Sequence, residues 1–131
     1  MGATENKQLV HDTFAALNAG DSDKFFSNLS DDVRWTITRT TKYSNTYTGK
    51  ADIVERLFTP LTAQLDGFIT NTILNTIVED SYVVLQTQGK SQTKTGKPYS
   101  HTYCLVIQLQ DSKFQKITEY LDTELVTAAF E

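Results

Sequence analysis

The 131-residue chain is short of several residue types, and each shortage closes a line of chemistry. Cysteine occurs once, at Cys104, so the chain cannot form an intramolecular disulfide or a cysteine-based zinc site. The two histidines, His11 and His101, stand far apart in the sequence. They lack metal-ligand spacing, and neither a metal nor a cofactor is expected. Arginine occurs only at Arg34, Arg39 and Arg56, and 12 basic residues face 16 acidic ones, for a net charge of −4. That balance offers no electrostatic footprint for nucleic acid. No apolar run approaches the ~20 residues that span a bilayer, so no membrane partner is expected. The opening residues show no basic segment followed by an apolar one, and a cytoplasmic location is the expectation.

What the chain does have is rings. It carries 7 Phe, 6 Tyr and 1 Trp against a lean hydrophobic fraction of 39%. Its length suits one domain, residues 1–131, which buries roughly two thirds of the surface an unfolded chain exposes. An aromatic-rich but lean composition suits a shell around a pocket.

The first half reads helical. Leu9, Val10, Thr13, Phe14 and Leu17 form an amphipathic stripe, with Gly20 as its C-cap. Asp21 or Ser22 caps a short second helix carrying Phe25, Phe26 and Leu29. A strand follows over 33–38, with Val33, Trp35 and Ile37 on one face. Residues 39–47 read as a loop. A third helix runs from about Lys50 to Leu65, and Pro60 predicts a kink or break near Phe58-Thr59. The second half reads as strands over 68–79, 82–93, 99–110 and 114–122, with turns between them. Helices followed by hairpin-connected strands imply an α+β domain with an antiparallel sheet.

This order resembles the nuclear transport factor 2-like superfamily, in its SnoaL-like and ketosteroid isomerase-like branch. The matching pieces are Leu17-Asn18-Ala19-Gly20-Asp21, Asp31-Asp32-Val33-Arg34-Trp35 and Tyr47-Thr48-Gly49-Lys50. Gly96-Lys97-Pro98-Tyr99, Tyr103-Cys104 and the run from Lys116 to Thr123 complete them. The resemblance implies a cone: a curved antiparallel sheet wrapped around the N-terminal helices, leaving an apolar pocket for a small apolar molecule. It also implies a homodimer through the outer face of the sheet. Relatives in this branch include isomerases, cyclases, dehydratases and epoxide hydrolases, and others that only bind, so the fold leaves the function open.

Candidate catalytic residues are Asp122, His101 and Tyr103. The resemblance places a pocket carboxylate at the end of the last strand, where apolar surroundings would raise its pKa toward the working range. Asp122 equally fits as the N-cap of a C-terminal turn. His101 lies between Tyr99 and Tyr103 on one strand face, as a pocket base, a core group or an exposed group near the strand start. The register of the last hairpin decides between arrangements. A two-residue turn at Ser112-Lys113 sets Tyr103 opposite Asp122, with His101 a diagonal neighbour at roughly 7–8 Å between α-carbons. A three-residue turn instead puts His101 and Tyr103 on the face of Ile117, Glu119 and Leu121, since a one-residue slip flips the face. Phe114 and Ile117 have opposite parity, which hints at a bulge.

Trp35, Tyr43, Tyr47, Phe58, Tyr120 and Phe68 are candidate pocket or lid residues. Asn71, Asn75 and Gln86 read as facing solvent or a dimer partner, and His11 as a rim residue. No Arg follows Arg56, which disfavours the epoxide hydrolase pattern implied by the family. No carboxylate stands at Thr38–Thr41, where the resemblance would put the ketosteroid isomerase base. Two expectations follow. One is a cofactor-free isomerase, dehydratase or cyclase acting by acid–base chemistry on a small apolar carbonyl compound. The other is a non-catalytic pocket or dimerisation module of the same fold.

Overall fold

The computed structural model describes residues 2–67 and 69–130. Helix α1 (Ala3–Asn18) buries Val10, Thr13 and Phe14. Gly20 then follows with φ +82°, the left-handed conformation that ends a helix cheaply only at glycine. Asp21 caps α2 (Ser22–Ser27) by accepting the Lys24 N–H at 3.1 Å. Strand β1 (Leu29–Ile37) follows, and β2 (Asn45–Thr48) folds back on it. The sequence hides β2 in a polar stretch, because an edge strand needs only backbone pairing and one inward residue, Tyr47.

Helices α3 (Lys50–Asp52) and α4 (Thr59–Gln64) are joined by a π-helical segment, Ile53–Phe58. The helical path does not break before Pro60. The Thr59 N–H donates to the Val54 carbonyl, a five-residue step that widens the turn. The segment preceding the proline thus absorbs its missing donor as wider turns.

Strands β3 (Thr70–Glu79), β4 (Tyr82–Lys90), β5 (Thr102–Gln110) and β6 (Lys113–Tyr120) complete a six-stranded sheet, ordered β2-β1-β6-β5-β4-β3. Every neighbouring pair is antiparallel except β1 and β6, which run parallel. The sheet is therefore mixed and not wholly antiparallel. No hairpin links β1 to β6, so no short turn dictates their relative direction. Bulges interrupt the β1–β6, β3–β4 and β5–β6 ladders and bend the sheet. Helix α5 (Thr123–Phe130) closes the described chain and buries Val126 and Ala129.

The inner face of the sheet packs on the helices through Val10, Phe14, Phe25, Leu29, Val33, Ile107, Phe114 and Ile117, all buried. Phe14 meets Phe25 edge-on at 5.8 Å between ring centroids. The outer face carries Ile77, Tyr82 and Tyr120, all exposed, around the paired Val84 and Val106.

The last hairpin settles its own register. Asp111 and Ser112 form the turn, both with positive φ, so Gln110 faces Lys113. Leu109 then pairs with Phe114 but Gln108 with Lys116, leaving Gln115 as the extra residue of a bulge. Beyond it, Ile107 faces Ile117, Leu105 faces Glu119 and Cys104 faces Tyr120. The bulge lets Phe114 and Ile117 both point inward, and it carries Glu119 inward with them.

Candidate functional site

Between the inner face of the sheet and the helices lies a cavity of about 120 Å³. Phe14 and Leu17 of α1, Leu57, Phe58 and Leu61 of the third helical stretch, and Leu65, Ile69 and Val126 supply apolar wall. Trp35, Tyr43, Tyr99 and Tyr103 add rings. Among the described residues lining it, Glu119 is the one with an ionisable carboxyl, and none is Lys, Arg or His.

Glu119 is held from both sides. Its backbone carbonyl accepts the Thr38 N–H and hydroxyl, each at 3.1 Å, on the β1 side. Its neighbour on β5 is Leu105. Oε1 of its carboxyl accepts the Trp35 indole N–H at 3.2 Å. Burial pushes the carboxyl up to about 7, and the indole hydrogen bond only partly opposes that. A carboxyl poised there exchanges a proton near neutrality.

Two phenols flank the same space. Burial raises the pKa of Tyr103, and the Tyr99 and Glu119 charges raise it further. Tyr99 is raised by burial and then by Glu119. Both stay protonated donors. Gly89 makes room for this arrangement: a Cβ there would lie 2.6 Å from Cε2 of Tyr103. Tyr43 is fixed by the Gln64 side-chain amide, which donates to its hydroxyl.

The residues expected to act with Tyr103 lie elsewhere. Asp122 is exposed, and its carboxylate accepts the Glu124 and Leu125 N–H groups at 3.1 and 3.3 Å, so it caps α5. Its position just past β6, before a helix with free N–H groups, gives it that role. His101 is buried but does not line the cavity. Its ring sits between those of Tyr99 and Tyr103, at 4.5 and 4.9 Å between centroids. Neither ring nitrogen has a hydrogen-bond partner among the described residues. Burial lowers its pKa and outweighs the nearby Asp122, so the ring is a neutral packing group. Asp122 lies near enough for its charge to act on His101, but its carboxylate caps the helix, and neither residue lines the cavity.

Of the candidate lining residues, Trp35, Tyr43 and Phe58 face the cavity. Tyr47 is buried in packing, where its hydroxyl donates to the Tyr43 carbonyl at 2.6 Å. Tyr120 is 47% exposed on the outer face, because it alternates with Glu119. Phe68 lies outside the described residues. Asn75 and Gln86 face outward and hydrogen-bond to each other at 3.2 Å. Asn71 instead lines the cavity, since the bulge at Leu74 reverses the parity between it and Asn75. His11 is half-buried against the Thr76 hydroxyl at 2.9 Å.

Glu119 is not among the catalytic residues expected from the sequence, although the pairing beyond the bulge is the one a three-residue turn would give, with Tyr103 on the face of Glu119. The signal for it is the opposite parity of Phe114 and Ile117, which requires the bulge that turns Glu119 inward.

The comparisons with known proteins agree with the architecture. The profile of the SnoaL-like domain matches residues 10–120. An NTF2-like protein from Burkholderia xenovorans superposes with a TM-score of 0.81 at 21% identity, covering 100% of this chain and 99% of that one. An NTF2-like protein from Burkholderia thailandensis gives 0.86 at 22% identity, over 100% and 99%. TerC, co-crystallised with polyporic acid, gives 0.84 at 17% identity, over 95% and 97%. At these identities the likeness speaks for the fold. No curated protein matches the sequence significantly. The solved structures share the NTF2-like fold with this chain, and the family match across most of the chain shows that this protein belongs to the SnoaL-like family.

Proposed function

We propose that the cavity binds a small, largely apolar carbonyl compound and moves a proton next to the carbonyl, with Glu119 as the acid–base group. The observation that carries this reading is a desolvated carboxyl at about 7 inside an aromatic and aliphatic cavity. In its ionised form Glu119 takes the proton from the carbon beside the carbonyl. The Tyr103 hydroxyl, with Tyr99 behind it, donates to the enolate oxygen that forms. Return of the proton from Glu119 to another carbon gives an isomer, and loss of a β-hydroxyl as water gives a dehydration. A ligand in TerC, a protein of the same fold, supports a small-molecule site of this kind.

The test is solvent deuterium exchange into a panel of small cyclic ketones, followed by proton NMR. The wild type is expected to exchange the positions beside the carbonyl, with a rate rising through pH 7 as Glu119 ionises. Glu119→Gln should slow exchange by about 10²–10⁴-fold, and Tyr103→Phe by about 10²–10³-fold. Equal exchange by wild type and Glu119→Gln overturns the assignment. Ketones that bind without exchanging in the wild type leave the cavity as a binding site only.

We also propose that the outer sheet face, with Ile77, Tyr82 and Tyr120 exposed, seats a second copy of the chain. Sedimentation at high protein concentration that returns only monomer overturns this.

A further inference from the structure

The electrostatic character of the cavity points to a ligand class beyond carbonyl compounds. Its one ionisable carboxyl, Glu119, accepts a single hydrogen bond from described residues, the Trp35 indole N–H on Oε1. No hydrogen bond to Oε2 is observed among described residues. Groups facing it from the neighbouring elements are neutral: Trp35 on β1, Tyr103 on β5, Tyr99 ahead of β5, and Tyr43 between β1 and β2. His101 is walled off behind the two tyrosine rings. No cation of the protein balances the carboxylate when it ionises. The surrounding walls are ring faces and alkyl groups, and ring faces attract cations.

We propose that this cavity takes small apolar ammonium ions, which sit with the charged nitrogen against Glu119 and the apolar body against the rings. An ammonium ion supplies the missing positive charge and the missing N–H donors at once. Two opposite charges buried in contact offset part of the desolvation cost that each would carry alone. The same logic excludes carboxylates and phosphates, which would bring a second negative charge into a site with no cation. A volume of about 120 Å³ suits a body the size of one small ring, since a cavity of roughly 150 Å³ holds benzene.

Binding requires Glu119 to be ionised, so below pH 7 each ammonium ion that binds displaces one proton from Glu119 to solvent. No covalent bond changes. This inference rests on the reading that the cavity is the ligand site, and not on catalysis there.

The experiment is calorimetric titration of the wild-type protein with benzylammonium, benzyl alcohol and benzoate. The first two share shape and differ in charge. Benzylammonium is expected to bind at least about tenfold more tightly than benzyl alcohol at pH 8, with no detectable binding of benzoate. Between pH 7 and 5 its affinity should fall by nearly tenfold per pH unit, with release of about one proton measured in two buffers of different ionisation enthalpy. The alcohol should show neither effect. Glu119→Gln, which keeps the side-chain shape, should lose the preference for the ammonium ion while keeping the alcohol. The inference is overturned if the ammonium ion binds no better than the alcohol, if its binding releases no proton, or if Glu119→Gln keeps the preference. In those cases alcohol binding still supports the cavity as the ligand site. Failure of both the ammonium ion and the alcohol to bind overturns both readings.

Discussion

Replacing Glu119 by Gln offers a direct measure of what burying this carboxyl costs. Burial lifts its pKa from the ordinary 4.5 to about 7 in the folded protein. The folded state therefore holds its proton more tightly than the unfolded state does. Below pH 4.5 both states are protonated and the stabilising effect of the bound proton is fully present. Between 4.5 and 7 the folded protein keeps a proton that the unfolded chain has released. Stability must then fall as pH rises, by about 1.4 kcal/mol per unit, and level off above 7. Over the whole window the loss comes to about 3 kcal/mol. Gln keeps the shape and the oxygen that accepts the Trp35 N–H, but has no proton to lose. Asp32 and Asp52, whose carboxyls hydrogen bonding holds below the usual range, are present in both proteins and cancel. The assay is urea unfolding from pH 4 to 8, followed by circular dichroism and by the fluorescence of Trp35, the only tryptophan. Relative to wild type, Glu119→Gln should gain about 3 kcal/mol between pH 4.5 and 8. A difference that stays constant across this window, or that changes in the opposite sense, refutes the argument.

Three further outcomes follow from the neighbours of this carboxyl. His101 is a base whose folded pKa burial depresses, so it destabilises the fold as pH falls through the unfolded value of about 6.5. His101→Phe, which keeps a ring between Tyr99 and Tyr103, should remove that acid sensitivity in the same urea series; an unchanged acid limb counts against a neutral buried imidazole. Gly89→Ala sets a methyl 2.6 Å from the Tyr103 ring and 3.2 Å from Cγ2 of Ile69. It should cost about 1–3 kcal/mol and alter the near-ultraviolet dichroism of the tyrosines, whereas wild-type stability and spectrum would show that the ring has room to move. Asp122→Ala should cost about 1 kcal/mol through the lost cap of α5 and leave ketone exchange unchanged. A large loss of exchange at unaltered stability would return Asp122 to the site.

Elements held by local signals were readable in the sequence. The stripe of Val10, Thr13 and Phe14, the left-handed stop at Gly20 and the cap at Asp21 each act over one or two turns, and each forms as expected. Inward alternation of Val33, Trp35 and Ile37 places Trp35 at the cavity for the same reason. Features set by distant partners were hidden. The strand Asn45–Thr48 exists because β1 offers it an edge, and its own residues are polar. The parallel pairing of β1 with β6 joins segments about eighty residues apart, beyond any turn rule.

The site shows the same division at the scale of one residue. A strand without a bulge would make the turn alone decide which face Glu119 occupies. Here Gln115 is extra, and everything beyond it on β6 changes faces relative to the turn. The choice is driven by burial: Phe114 and Ile117 are both fully buried, and no unbroken strand can point both inward. Fully burying each such side chain is worth about 1.5–3 kcal/mol, so the pair together can carry the bulge and the inward carboxyl that comes with it. The raised pKa of Glu119 is then a consequence of packing at Phe114 and Ile117, several residues away on the same strand. Tyr120, one step on, is turned out to the exposed face by the same alternation, and Asp122 lies beyond the strand's end, where the helix N-terminus claims it.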